Sequence, residues 1–230
     1  MLTATKVNQF YGGSHTLWDV DLEVPKGDCV CLMGRNGVGK TTLLKVIMGL
    51  LPTVSGEIRF GDTRLNGAAP EARARAGIGY VPQGREIFAS LTVEENLRIG
   101  RGRNGAVGEI PERVLTLFPV LKEMLKRKGG DLSGGQQQQL AIGRALVSKP
   151  TLLLLDEPTE GIQPSIIQDI ERAIRRLRER GTVAILLVEQ YLDFARRLAD
   201  AFAVMEKGEI VTRGAIAELT PEVIKRHLAV

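Results

Sequence analysis

The sequence predicts an α/β fold with a central, mainly parallel sheet, an N-terminal antiparallel subsheet and an inserted helical subdomain. Three observations carry this expectation. Gly34-Arg35-Asn36-Gly37-Val38-Gly39-Lys40-Thr41 matches G-x-x-x-x-G-K-[ST], between the apolar run Cys29–Met33 and a helical pattern over 42–48. Residues 152–155 and 184–188 are unbroken apolar runs of strand length, as expected of parallel strands buried on both faces. Strand and helix patterns alternate along most of the chain, which favours a sheet covered by helices.

The glycine loop supplies the first chemistry. Its glycines let backbone N–H groups close around phosphates, and the helix that follows adds partial positive charge at its N-terminus. In that arrangement Lys40 reaches the β- and γ-phosphates of a nucleotide, and the Thr41 hydroxyl is a ligand for Mg²⁺. The competing reading is an ordinary glycine turn, and the Lys-Thr pair in a strand–loop–helix context argues against it.

Bulk properties set the frame. At 230 residues the chain fits one large domain or two small ones and can bury a real core. With 43% hydrophobic and 25% charged residues it reads as globular rather than disordered. A net charge of +4, scattered among acids, is too mild to argue for nucleic acid as a partner. Cys29 and Cys31 lie two apart on a strand; small buried apolar residues in a reducing compartment is one reading, a C-x-C redox or metal pair the other. The chain opens on a strand-like segment without a leader pattern, and no apolar run approaches the length of a membrane span, so a cytosolic protein is expected, reaching any membrane through a partner.

In order, alternation around Val7 and Phe10, a Tyr11-Gly12-Gly13 turn and Leu17, Val20, Leu22 and Val24 predict two antiparallel strands. Tyr11 is either a half-buried core aromatic or a ring offered for stacking on a nucleobase. Residues 55–61 read as a strand, 71–76 as a polar helical turn, and 78–83 as a strand ending on Gln83. Thr92 with Glu95 forms a capping box for the next helix. Residues 101–108 are a polar, glycine-rich loop; 111–118 and 120–125 are two short helices. The segment from about 87 to 148 is therefore a helical subdomain inside a single domain spanning 1–230. Residues 131–135 break structure, and a helix resumes over 136–147. After the strand ending in Asp156-Glu157, a long helix runs from Pro164 to a Gly181 cap, with arginines on its solvated face. A strand to Val188, a helix, a hairpin around Lys207-Gly208 and a last helix from Thr220 complete the chain.

Ligands bind at the carboxyl ends of strands in open α/β sheets, and the polar residues there are 34–41, Gln83, Asp156-Glu157 and Glu189-Gln190. Asp156 is placed to hold Mg²⁺ with Thr41, and Glu157 to polarise an attacking water. The plain alternative for this acidic pair is a helix N-cap. Leu132-Ser133-Gly134-Gly135-Gln136 is a second potential anion cradle: a hydroxyl and bare N–H groups at a helix N-terminus.

That last string, upstream of an apolar strand ending in acids, resembles the ABC-transporter ATPase family over essentially the whole chain. The resemblance implies a nucleotide-binding domain of the P-loop NTPase fold that binds ATP and Mg²⁺. It implies that Tyr11 stacks on adenine, that Gly34, Arg35, Asn36, Gly37, Val38, Gly39, Lys40, Thr41 and Thr42 hold phosphates, and that Gln83 approaches Mg²⁺ and relays to a membrane subunit. Asp156 becomes the second metal residue, Glu157 the catalytic carboxylate, and 160–163 a loop at the dimer interface. ATP in this family lies between the phosphate loop of one subunit and the Ser133, Gly134, Gly135, Gln136 signature of another. A dimer is therefore implied, with a second ATPase subunit or a second copy. Transmembrane permease subunits, an indirect periplasmic binding protein and a peripheral place at the cytoplasmic face of the inner membrane are implied as well.

One position departs from the family. A histidine usually follows the strand that here ends at Val188, where this chain has Glu189-Gln190. Gln190 can hydrogen-bond a phosphate or water but carries no proton or charge. Val188-Glu189-Gln190 is similar to the second ATPase subunit of branched-chain amino-acid and urea importers. Gly34–Lys40, 84–88, 133–139 and 160–167 look most like the urea importer's subunit. Ile87 and Phe88 are then expected to be exposed for a membrane partner, and core residues otherwise. A soluble ABC-type ATPase acting on DNA or ribosomes, and a nucleotide switch with little turnover, are the competing readings.

Overall fold

The computed structural model describes residues 1–101 and 110–228, so nearly all of the loop expected at 101–108 lies outside the described residues. β1 (Leu2–Tyr11) and β2 (Ser14–Val24) form a hairpin whose turn is Gly12-Gly13. β4 (Ser55–Phe60) pairs with β1, and β5 (Thr63–Arg64) with β4, all antiparallel. This is the expected subsheet, with strand order β2-β1-β4-β5.

The second sheet is built from β3 (Cys29–Met33), β6 (Ile78–Val81), β7 (Leu152–Asp156), β8 (Ala184–Val188), β9 (Ala201–Glu206) and β10 (Glu209–Ala215). Its order is β10-β9-β3-β8-β7-β6, parallel except for the β9–β10 hairpin. The parallel strands therefore end together, with Leu32 opposite Val188 and Ala203, and Asp156 opposite Val188. That register brings the phosphate loop, Glu157 and Gln190 to one edge.

The strand alternation divides the interior into two cores. Cys29, Cys31 and Met33 of β3, with Leu153 and Leu155 of β7, face one side; Val30, Leu32, Leu152 and Leu154 face the other. The second core is filled between the sheets by α1 (Lys40–Met48), through Leu43, Leu44, Val46 and Ile47. The first is covered by α6 (Gly134–Val147), α7 (Pro164–Glu179) and α8 (Leu192–Leu198). Both cysteines are fully buried and free, and burial pushes the Cys29 thiol up to about 12, which supports the apolar reading over a redox pair.

The helical region contains α3 (Val93–Ile99), α4 (Glu112–Leu117), α5 (Pro119–Glu123) and α6, and its apolar faces join the same core as the sheet. α2 (Pro70–Arg75) and α9 (Pro221–His227) are not part of the helical region, though Val223 and Ile224 of α9 pack against that core. Thr92 and Glu95 form the expected capping box. α6 begins at Gly134, earlier than the expected break at 131–135 allows, because Ser133 and Gln136 cap it reciprocally. Cap chemistry outweighs the low helix propensity of two glycines in a first turn. α1 is closed by Gly49 at φ 79°, and the Arg73 guanidinium, 3% exposed, donates to the freed carbonyls of Val46 and Ile47 at 2.8 Å each.

Candidate functional site

The phosphate loop needs conformations that only glycine adopts easily: φ is 151° at Gly34, 80° at Gly37 and 112° at Gly39. A side chain at Gly34 would overlap the Met205 carbonyl of β9, so the loop also lies against the sheet too closely for any other residue. Lys40 is 4% exposed, and its Nζ donates to the carbonyls of Gly34 at 2.7 Å and Arg35 at 2.8 Å. It also faces Glu157 Oε1 at 3.4 Å. Val38 packs on the core beneath the loop, and Thr42 is buried in α1.

Thr41 Oγ1 donates to Asp156 Oδ1 at 3.1 Å, joining loop and β7. Asp156 is 1% exposed, and its Oδ2 has no hydrogen-bond partner. Burial pushes this carboxyl up to about 6, against the opposing pull of the Thr41 hydroxyl. Next along the chain, Glu157 takes φ 47°, a left-handed conformation unusual for a carboxylate side chain. Its N–H bonds to the Val188 carbonyl at 3.0 Å, so the turn is tied to β8 rather than opening a helix. The helix N-cap reading of the acidic pair is therefore corrected: α7 starts later, and Gln163 occupies its N-cap.

Gln190 lies where its amide joins three elements. Nε2 donates to Asn36 Oδ1 of the phosphate loop at 2.5 Å and to Glu157 Oε1 at 2.7 Å. The departure from histidine thus leaves no gap, since the amide reaches both neighbours. Gln83 Nε2 donates to Glu160 Oε2 at 2.9 Å, with Glu157 Oε2 farther off at 3.5 Å. Asn36, Gly37, Lys40, Thr41, Gln83 and Glu157 line a cavity of about 240 Å³.

The other expected residues are placed elsewhere. Tyr11 is 47% exposed at the end of β1, which corrects its reading as a half-buried core aromatic. In the signature, the Ser133 hydroxyl accepts from the Gln136 N–H at 3.4 Å while Gln136 Oε1 accepts from the Ser133 N–H at 2.9 Å. The Arg85 guanidinium lies against Gly134, and a side chain at Gly135 would strike Ile166 of α7. Ile87 is half-buried and packs on the core, correcting the expectation of exposure, whereas Phe88 is 46% exposed beneath the Arg144 guanidinium.

Two residues escaped sequence reasoning as structural pins of the site. Glu189, 2% exposed, accepts from Thr159 N–H and Oγ1 and from the N–H groups of Gln190 and Tyr191 at 2.8–3.2 Å. Burial raises its pKa while those donors oppose the rise, and the carboxylate orients the Gln190 segment. Asn96 is fully buried in α3 and bonds the Phe88 N–H and carbonyl and the Leu91 and Thr92 carbonyls, holding the loop after Gln83. A buried amide in an amphipathic helix is the only signal the sequence offers for it.

A mixed sheet bearing a glycine phosphate loop at the carboxyl ends of its strands defines a nucleotide-binding domain of the P-loop class. The sequence profile described as ABC transporter matches residues 17–160. The branched-chain amino acid transport ATP-binding protein BraG of Pseudomonas aeruginosa is 45% identical over 99% of both chains. A probable branched-chain amino acid transport ATP-binding protein of Archaeoglobus fulgidus is 39% identical over 95% of this chain and 94% of its own. A nucleotide-free ATP-binding cassette from an ABC transporter superposes with a TM-score of 0.85 at 29% identity, over 99% of this chain and 94% of the other. A dimeric, post-hydrolysis cassette bound to ADP and Pi gives 0.84 at 25% identity, over 94% and 99%. The chain belongs to the ABC transporter family, as an ATP-binding subunit whose hydrolysis of ATP drives transport. No helix among the described residues is long and apolar enough to cross a membrane.

Proposed function

We propose that this chain energises an importer for urea, hydrolysing ATP at a site completed by a second ATPase subunit. The observation that carries the catalytic part is the convergence of Asn36, Lys40 and Glu157 on one small cavity, with the Gln190 amide bonded to both Asn36 and Glu157. Residues 34–42 hold the triphosphate, with Lys40 leaving its carbonyl partners for phosphate oxygens. Tyr11, exposed at the end of β1, offers a ring for adenine. Mg²⁺ fits the donors present: an unpartnered buried oxygen of Asp156 beside the Thr41 hydroxyl, with Gln83 at the cavity mouth. When bound there the cation neutralises phosphate charge. Glu157 orients and deprotonates the attacking water, and Gln190 fixes the Glu157 carboxylate against the loop. Ser133, Gly134, Gly135 and Gln136 serve the neighbouring subunit's nucleotide, with backbone N–H groups at a helix start supplying the donors.

Urea as solute rests on the strings at 34–40, 84–88, 133–139 and 160–167, none of which touches the solute. A branched-chain amino-acid importer is the second reading, favoured by the likeness to the Pseudomonas protein. Both readings place the chain at the cytoplasmic face of the inner membrane, on permease subunits fed by a periplasmic binding protein, with a heterodimer favoured over a homodimer. The test is uptake of labelled urea and leucine by cells carrying wild type or Glu157→Gln. Urea uptake lost in the variant supports the reading; loss of leucine uptake alone transfers the role to amino acids. Equal ATP hydrolysis by the two purified proteins removes Glu157 from the chemistry.

A further inference from the structure

A second cavity, of about 210 Å³, opens at the edge of the parallel sheet opposite the phosphate loop. Its walls are Pro150 and Thr151 just before β7, Thr182 and Val183 just before β8, and the ends of α4, α6 and α7. Val114, Leu117, Leu146 and Leu177 make an apolar floor. Three cations, Arg113, Lys149 and Arg180, line the same space, and no carboxylate among the described residues does.

Arg113 is half-buried, Lys149 and Arg180 are exposed, and among the described residues they meet few opposite charges. Arg113 Nη2 donates to the Leu146 carbonyl at 3.0 Å, at the C-terminal end of α6, and Arg180 stands at the C-cap position of α7. Each helix end offers about half a negative charge, so the two together offset about one of the three cations. None of the three forms an ion pair with a described residue. Burial, and the Arg180 guanidinium beside it, hold the Arg113 pKa below its ordinary value. Lys149 is kept in a left-handed backbone conformation at φ 58°, just beyond α6.

We propose that this cavity binds a small phosphate monoester, at a site separate from the nucleotide. A phosphate monoester carries a charge of about −1.5 to −2 near neutrality, close to the charge that the described residues leave unpaired on the rim. Its oxygens suit the guanidinium forks and the Thr151 and Thr182 hydroxyls, and its ester carbons suit the leucine and valine floor. The volume falls below that of a cleft for a drug-sized ligand, so the organic part is short. Because Thr151 and Thr182 lead directly into the strands ending at Asp156-Glu157 and Glu189-Gln190, occupancy would be felt at the catalytic edge through β7 and β8.

The experiment is calorimetric titration of the full chain with phenyl phosphate, the phosphate loop being saturated with Mg-ADP. Saturable one-to-one binding is expected, weakened about tenfold or more by Arg180→Gln and unchanged by Lys40→Ala. Ligand-free Arg180→Gln, altered only at an exposed position, is expected to melt at or above the wild-type temperature because a repulsion is relieved. A parallel arm offers phosphatidic acid vesicles, which carry the same headgroup chemistry; retention on them without phenyl phosphate binding, abolished by Arg180→Gln, assigns the source to lipid. The proposal is overturned if neither probe binds, if Arg180→Gln binds as tightly as wild type, or if Lys40→Ala abolishes binding. A clearly lower melting temperature for ligand-free Arg180→Gln also overturns it, since Arg180 would then already be compensated.

Discussion

Replacing Gln190 by alanine tests whether an uncharged amide serves where the family usually has histidine. The substitution deletes hydrogen bonds to Asn36 Oδ1 at 2.5 Å and to the Glu157 carboxylate at 2.7 Å. A hydrogen bond to a charged group contributes roughly 1.5–3 kcal/mol, and solvent exposure at this position reduces that to about 1–2 kcal/mol. If the amide holds Glu157 for the attacking water, the whole loss falls on kcat, a decrease of about 5- to 30-fold. KM for ATP is expected to change little, because the phosphate-loop contacts of Lys40 and Thr41 are untouched. The assay is phosphate release at saturating Mg-ATP, beside Gln190→His, which restores a donor and adds a group that titrates near neutrality. The histidine variant should recover most of the rate and add its own pH dependence near 6–7 to that of wild type. A kcat for Gln190→Ala within about twofold of wild type would refute the positioning role.

Two further outcomes follow from the buried polar groups. Asp156 is held at about 6 by burial, above the ordinary value of 3.8, so the native state retains a proton that the unfolded chain releases between those values. Stability of the metal- and nucleotide-free protein should therefore be highest below about pH 4 as far as this group is concerned and fall as pH rises through 6, by about 3 kcal/mol. Denaturant midpoints measured across that range should show the decline, and Asp156→Asn should remove it. Asn96→Ala leaves the Phe88 N–H and the carbonyls around it without their buried partner, and should cost about 2–4 kcal/mol in guanidinium unfolding. A loss under about 0.5 kcal/mol would mean that water replaces the amide.

Much of this architecture was legible because its signals are local. The glycine loop, the apolar strands, and the Thr92 and Ser133 caps each depend on residues within a few positions. What the sequence concealed depends on distant pairing. Nothing near Glu189 announces that its carboxylate closes over Thr159, and Arg73 reads as a solvated helix residue until its carbonyl partners on α1 are known. Gln190 was legible as a departure, yet its bond to Asn36 spans most of the chain. The misplaced start of α6 has a different cause: glycine weighs against a helix in propensity, but the reciprocal Ser133–Gln136 cap decides the local outcome. Ile87 and Phe88 are adjacent and equally apolar, and only the packing of the first against the core separates them.

β3 serves both cores at once, sending Cys29, Cys31 and Met33 to one and Val30 and Leu32 to the other. A strand clamped from both faces is the hardest part of a molecule to deform, and it is what the phosphate loop grows from. The segment after Gln83 is fastened instead by side-chain amides and guanidiniums, Asn96 and Arg144 among them. Clasps of that kind hold by a few directed hydrogen bonds, whereas β3 is held by close packing on both faces. The molecule is therefore built as an anvil and a latch: amide hydrogen exchange should be slowest along β3 and faster across 83–91.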